Sequence, residues 1–438
     1  MKAFHTLGLL PQRAASVFFV LAAVWAPTAH AVPSYARQTG QDCAACHVGA
    51  YGPQLTPFGM RFKIGGYTDS DGKGGKVPLS GMLTADYIRY KDDEGKTTSK
   101  STLSEASIFL AGRLMDKVGS FTQVTYNNVD HATALDQLDL RYADTVSLYG
   151  QEAVVGLSLN NNPTVQDPLN TVGSWGFPFY SSERSNAIGA DFSGLGSSEQ
   201  KGLGLSAYGF LDNRWYGELG LYNTLSPAVQ SRLGWPRADA RAFGRMRNAA
   251  YYRLAYIRDL KTQAWSVGLL GFDGKRTDGR EADDSGVLAP TFNSQRFHDA
   301  GIDASYQFLG TRKHVFTLSG SYMQERLRTE PADGSDRQRS TIKDYRLTGS
   351  YFFRSTYGAT VGLFRSTTTD EAAGSANSGV IYQLDWTPFG KEDSWMAPWA
   401  NLRVGLQYVD YRRYIDAGTV SDHAHDRNTL TLFAWGSF

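Results

Sequence analysis

From residue 79 to the end of the chain, runs of about ten residues alternate apolar and polar side chains and are separated by turn residues. The clearest is Ala400–Tyr411. Leu402, Val404, Leu406 and Tyr408 fall on one side, and Asn401, Arg403, Gly405 and Gln407 on the other. A period of two marks a strand whose two faces meet different surroundings. Lys343–Phe353 repeats the pattern, with Tyr345, Leu347 and Tyr351 opposing Asp344, Arg346 and Ser350. Leu138 and Leu140 likewise oppose Asp139 and Arg141. Charge on one face and aliphatic residues on the other suit a wall between water and lipid. The predicted fold is all-β, a transmembrane antiparallel β-barrel of about sixteen strands over residues 79–438.

Candidate strands lie near 79–90, 103–114, 118–128, 131–145, 151–160, 201–211, 214–224, 249–259, 263–273, 297–308, 313–325, 341–353, 357–367, 378–387, 399–412 and 427–438. Short connections at 115–117, 260–262, 309–312 and 354–356 alternate with long polar ones at 225–248, 274–296, 326–340, 368–377 and 413–426. In outer-membrane barrels the short turns face the periplasm. Residues 161–200 read as one long loop, able either to lie on the surface or to fold into the lumen.

The N-terminus supports the same setting. Lys2 and Arg13 precede an apolar run from Ala14 to Trp25, then Pro27 and the small-residue pattern Ala29-His30-Ala31. This is the form of a secretory signal peptide, expected over residues 1–31 with the mature chain beginning at Val32. The run is too short to span a bilayer as a helix. The last strand ends on Phe438, an aromatic terminus like that of exported barrels. The expected location is the bacterial outer membrane after Sec-type export, with membrane lipid as a partner. A formal net charge of +1 argues against nucleic acid.

Both cysteines fall in one string, Cys43-Ala44-Ala45-Cys46-His47. C-x-x-C-H is the attachment pattern of a c-type haem. The two thiols would carry the macrocycle as thioethers, and His47 would ligate the iron. A disulfide would leave His47 unexplained. A zinc site needs about four ligands, and the sequence offers no second cluster. Residues 32–78 are therefore expected to be a haem c segment and linker, the stretch 69–76 (DSDGKGGK) being flexible.

The strings PSYARQTGQDCAACH and LTPFGMRFKIGGY, with DWTPFG, NLRVGLQYVDY and NTLTLFAWGSF near the other end, resemble the fused monohaem cytochrome–porin family. That resemblance implies a small haem domain at or inside the mouth of a sixteen-stranded barrel, and electron transfer across the outer membrane. The best-known members are iron-oxidising outer-membrane cytochromes. An extracellular donor such as Fe(II) and a periplasmic c-type cytochrome or other soluble carrier are then the expected partners.

Met60 is the nearest candidate for a second axial ligand, and a Met/His pair would raise the haem potential. Met82 is an alternative on a lumen-facing phase. His131 is expected to face inward near the outer rim, whereas His298 and His314 lie on apolar phases. Tyr35, Tyr51, Phe58, Phe62 and Tyr67 could clothe a haem. Arg37, Arg61 and Lys63 could meet its propionates or inward carboxylates. Asp86, Glu105, Glu218 and Asp344 are expected to face the lumen. No catalytic triad or paired acid–base set is present, and an iron-oxidase-type electron transfer would need none. Two other readings are open: a porin whose haem segment gates or senses, and a soluble periplasmic haem enzyme.

A single haem in the periplasm could not reach a donor across a hydrocarbon layer about 25–30 Å thick. The conduit reading therefore requires residues 32–78 to enter the barrel.

Overall fold

A computed structural model describes residues 33–92, 95–148, 150–282, 287–370, 374–391, 393–416, 419–420 and 424–438. The expected signal peptide and Val32 lie outside the described residues. Sixteen antiparallel strands form the wall. They are β1 (Leu79–Lys91), β2 (Thr97–Met115), β3 (Val118–Asn127), β4 (Ala132–Leu148), β5 (Gln151–Asn160), β6 (Gly202–Leu211), β7 (Trp215–Thr224) and β8 (Ala249–Asp259). They continue as β9 (Gln263–Ala282), β10 (Leu288–Phe308), β11 (His314–Pro331), β12 (Gln338–Phe353), β13 (Tyr357–Asp370), β14 (Ser375–Trp386), β15 (Asn401–Asp416) and β16 (Thr429–Ser437). Each pairs with its sequence neighbour, and β1 closes on β16 with Met82 opposite Ser437 and Arg89 opposite Leu430. Closure leaves no open sheet edge, as a wall in lipid requires.

The alternation decides which face is which. Leu219, Leu254, Leu347, Leu384 and Leu432 are exposed on the outer surface, while Asp139, Arg141, Glu218, Arg253 and Gln407 are buried inside. A closed, even-stranded barrel with an apolar exterior is the bacterial outer-membrane form.

Several strands run further than the sequence pattern indicates. Residues 274–282 and 288–296 were expected to be loop but continue the β9–β10 ladder, with Gly274 opposite Phe297 and Ala282 opposite Leu288. Strands β11, β12 and β15 extend in the same way, to Pro331, from Gln338 and to Asp416. Beyond the lipid a hairpin needs no apolar face, so its period-two signal disappears while the hydrogen-bond ladder persists.

Residues 33–64 form short helices: α1 (Pro33–Thr39), α2 (Cys43–Cys46) and α3 (Pro57–Ile64), with a 3-10 turn at Val48–Ala50. Thr56 caps α3 by accepting a hydrogen bond from the Gly59 amide, and Pro57 occupies its first turn. This segment lies inside the barrel at the short-turn end. Inward side chains from separate parts of the wall hold it. The Asn401 amide donates to the Ala50 carbonyl (2.6 Å), Gln307 to the Leu55 carbonyl (2.8 Å), and the Tyr208 hydroxyl to the Ile64 carbonyl (2.7 Å).

Residues 161–201 contain no strand and fold into the lumen from the opposite end. The two alternatives open in the sequence are thereby separated, and the surface-loop reading falls. Loop 225–248 stays outside the wall ladder for most of its length and carries α4 (Pro227–Arg232) and α5 (Arg237–Phe243).

Candidate functional site

Helix α2 places Cys43 and Cys46 one turn apart. His47 then leaves the helix in extended backbone (φ −120°, ψ 136°), its amide donating to the Cys43 carbonyl. Both thiols are free. Flanking Ala44, Ala45, Val48 and Ala50 are buried, whereas Cys43, Cys46 and His47 keep accessible surface. Helix α3 packs directly on this turn. A Cβ at Gly59 would lie 2.3 Å from the Cys46 carbonyl oxygen, so only glycine permits the approach. Gly52 backs the imidazole, with its Cβ position 3.4 Å from His47 Cε1.

Burial sets the protonation states. It pushes the Cys43 thiol up to about 11 and the Cys46 thiol up to about 12. Thiols held neutral are poor exchange nucleophiles, which disfavours a thiol–disulfide switch. Burial pushes His47 down to about 4, so its ring is neutral near pH 7. Neutral imidazole is the metal-ligating form. The Nδ1 atom of His47 is buried and has no hydrogen-bond partner. Two thiols, a neutral imidazole and a glycine-lined approach fit the donor set of a covalent haem c.

The other residues singled out in the sequence fall into distinct places. Met60 is 3% exposed and packs in an apolar cluster with Leu55, Ile64, Leu169, Tyr216 and Ile257. Met82 is buried beside Phe109 and Ala111, with Tyr35 against them. Tyr35, Phe62 and Tyr67 form one aromatic group, the two tyrosine rings stacked at 5.5 Å. Tyr51 turns to the last strand, its hydroxyl donating to the Trp435 carbonyl at 2.8 Å. Arg37 donates to the Leu79 carbonyl at 2.6 Å, and Arg61 pairs with Asp259 at 2.7 Å.

Lys63 is buried and bridges the two inserts. It donates to the Val165 carbonyl (2.6 Å) and to Asn170 Oδ1 (2.7 Å), and lies over the Trp175 ring at 4.8 Å. Asp86, Glu218 and Asp344 face inward as expected, but each is engaged by protein donors: Tyr180, Tyr216 and Arg346 respectively. Glu105 is half-buried on β2.

His131 is a correction. It sits in the turn before β4 with φ +50°, exposed, beside the Tyr126 hydroxyl rather than in the lumen. A turn residue has no strand phase, so alternation could not orient it. His298 and His314 face outward, against Asp273 and Tyr351.

Sequence reading missed the wall residues that grip the inserted segment: Gln307, Asn401 and Arg403. Arg403 pairs with Asp385 at 2.8 Å and donates to the Gly52 carbonyl at 3.4 Å. Their inward phase and nearness to the short-turn end were the available signals.

The inserted loop completes the filling of the lumen. Arg141 donates to the Gln166 carbonyl at 2.6 Å. Arg253 joins Asp167 (3.1 Å) to Asp303, all of them buried. Between loop and helical segment a cavity of only about 20 Å³ is lined by Gln54, Asn170, Thr171 and Phe177 among others. A larger cavity, about 480 Å³, lies toward the long-loop ends of the strands beside Gly189, Thr329, Ser340 and Thr368.

No protein-family model matches the chain, and no curated protein matches it. Solved structures similar to it are outer-membrane barrels. OmpT of Vibrio cholerae is 10% identical, with 82% of this chain and 97% of that chain covered and a TM-score of 0.46. The anion-selective porin of Comamonas acidovorans is 14% identical, covering 82% and 98%, with a TM-score of 0.43. The outer-membrane channel DcaP of Acinetobacter baumannii is 11% identical, covering 82% and 96%, with a TM-score of 0.46.

Proposed function

We propose that this protein carries electrons across the outer membrane through one haem c, attached at Cys43 and Cys46 and ligated by His47. The observation that carries the reading is the position of the C-x-x-C-H turn within the barrel rather than beneath it. When bound, the haem supplies a one-electron redox centre. The chain's own residues do the rest. Cys43 and Cys46 fix the group to α2. His47, kept neutral by burial, would be the residue to hold the iron. Asn401, Gln307 and Tyr208 hold the segment against the wall at the backbone carbonyls of Ala50, Leu55 and Ile64. The inserted loop packs in the lumen beyond the helical segment, meeting it at Lys63. A centre held in this mouth would shorten the electron's path through a membrane about 25–30 Å thick.

An extracellular donor, Fe(II) in the family that the sequence resembles, would reduce the centre, and a soluble periplasmic carrier would oxidise it. Met60 would help hold the iron only if its sulfur left the apolar cluster that encloses it.

The test uses intact cells and membrane-impermeant chelated Fe(II), following the reduced haem c absorption band. Reduction from outside, absent in Cys46→Ala, is expected. A centre that stays oxidised until the cells are lysed overturns the reading.

A second reading is a channel gated by the N-terminal segment. The outward 480 Å³ cavity favours it. The filled lumen opposes it in the state described, because solutes would need the loop or the helical segment to move. Single-channel conductance that rises when residues 33–64 are deleted, with no redox response to external reductant, would favour the gate.

A further inference from the structure

The short-turn rim of the barrel carries a basic sector. The turns after β8, β10 and β12 carry Lys261, Arg312, Lys313 and Arg354, with Arg258 at the end of β8 and Arg61 of α3 beside them. Asp259, in the same sector, is engaged by Arg61. Lys261, Arg312, Lys313 and Arg354 are exposed. Lys261, Lys313 and Arg354 have no ion pair among the described residues. Across the rim the turns after β2 and β6 balance their charge, with Lys117 on Asp144 (2.6 Å) and Arg214 on Asp212 (3.3 Å).

The basic turns form one continuous surface. The Leu309 and Gly310 amides donate to the Thr262 carbonyl (2.8 and 3.0 Å), and the Arg354 amide donates to the Lys313 carbonyl (2.7 Å). That surface adjoins the C-x-x-C-H turn. Gln54 donates to Thr317 of β11 (3.1 Å), and Gly49 abuts the Phe352 ring of β12.

The backbone adds an independent observation. Lys261, Arg312 and Arg354 all occupy left-handed positions, with φ of +69°, +63° and +52°. Such a position costs a long side chain about 1 kcal/mol relative to glycine. In the turns after β4 and β6 the left-handed positions hold Gly150, Asp212 and Asn213. The basic side chains thus stand where local structure favours other residues.

We propose that the rim formed by Lys261, Arg312, Lys313 and Arg354 is the docking face for an acidic soluble electron-carrier protein, bringing it against the C-x-x-C-H side of the barrel. This rests on the electron-transfer reading. Opposite charges steer encounter and orient the pair while leaving the complex short-lived, as repeated turnover needs. The site faces the compartment where a soluble acceptor would be found.

The test uses the haem-loaded protein in phosphatidylcholine nanodiscs, reduced and mixed with an acidic or a basic soluble c-type cytochrome. The variant is Lys261→Asn/Arg312→Gly/Arg354→Asn, whose new residues suit left-handed backbone and so preserve folding. With the acidic partner the second-order rate is expected to fall about tenfold, with a flatter salt dependence, while the basic partner does not slow. Equal rates for the variant and the parent overturn the proposal. So does a variant that loses only its retention on phosphatidylglycerol vesicles, since the rim would then be a lipid contact.

Binding of the acidic cytochrome is also measured on Cys46→Ala protein. Charge-dependent binding there supports the docking face even if the parent passes no electrons, in which case the conduit reading alone fails. A parent haem that accepts electrons while the acidic partner binds neither protein removes the docking face alone.

Discussion

Two inserts fill this barrel, and they are held by different means. The N-terminal segment enters from the short-turn end as short helices, with much of its backbone hydrogen bonding internal. The 161–201 loop enters from the other end almost without regular structure, apart from one 3-10 turn at Gly173–Trp175. A buried backbone without a helix or sheet still needs partners. The wall supplies them. Arg141 takes the Gln166 carbonyl, Arg346 those of Phe177 and Ile188, and Gln407 that of Tyr180. In return, the Gly194 and Leu195 amides donate to Glu325 and Asp299. Inward charges that would line a water-filled pore serve here as a template for an irregular chain.

The largest expected effect breaks the loop's side of this comparison. Arg253→Ala leaves Asp167 and Asp303 buried without their cation, a loss of about 3–5 kcal/mol. It should lower the urea midpoint in detergent and raise conductance in planar bilayers. An unchanged conductance would mean that the loop stays seated without this triad.

The helical insert is tested next. Gly49 has φ +69°, and a Cβ there would lie 2.4 Å from the Phe352 ring. Gly49→Ala should cost about 2 kcal/mol or more. Protease protection of residues 33–64 should fall while barrel stability, read as heat resistance on gels, holds.

Smaller still is Met60→Leu, nearly volume-conserving in a packed cluster, with an expected loss below about 1.5 kcal/mol. The haem absorption spectrum should not change. A changed spectrum would assign the sulfur to the iron.

The mildest effect is graded with pH. Burial, helped by the nearby Arg141, pushes Lys63 down to about 7 from 10.5. Between those values the unfolded chain binds more protons than the folded one, so stability should rise as pH increases from about 7 toward 10.5. Below about 7 the cost of burying the cation is present in full. Lys63→Met should flatten that slope in a thermal midpoint series.

The two inserts also differ in how far they could be read in advance. Cys43, Cys46 and His47 sit within five residues of chain, so their chemistry is local and legible. Thr56 and Pro57 similarly mark the start of α3. Nothing local in 161–201 says that it turns inward, because its partners come from β4, β8, β10, β11, β12 and β15. Met60 illustrates the same limit. Its distance from His47 along the chain suggested a ligand, yet its surroundings are set by Leu169 from the loop and Ile257 from the wall.

The sequence by itself determined the wall's strand number and phase, because a period of two and a lipid boundary act residue by residue. It also set Cys43, Cys46 and His47 side by side, the donor set proposed for a haem. Tertiary structure decided where that donor set lies, what fills the lumen above it, and which turns adjoin it. Those depend on hydrogen bonds and ion pairs between residues up to hundreds of positions apart, such as Asn401 on Ala50, and no local pattern records such a pairing.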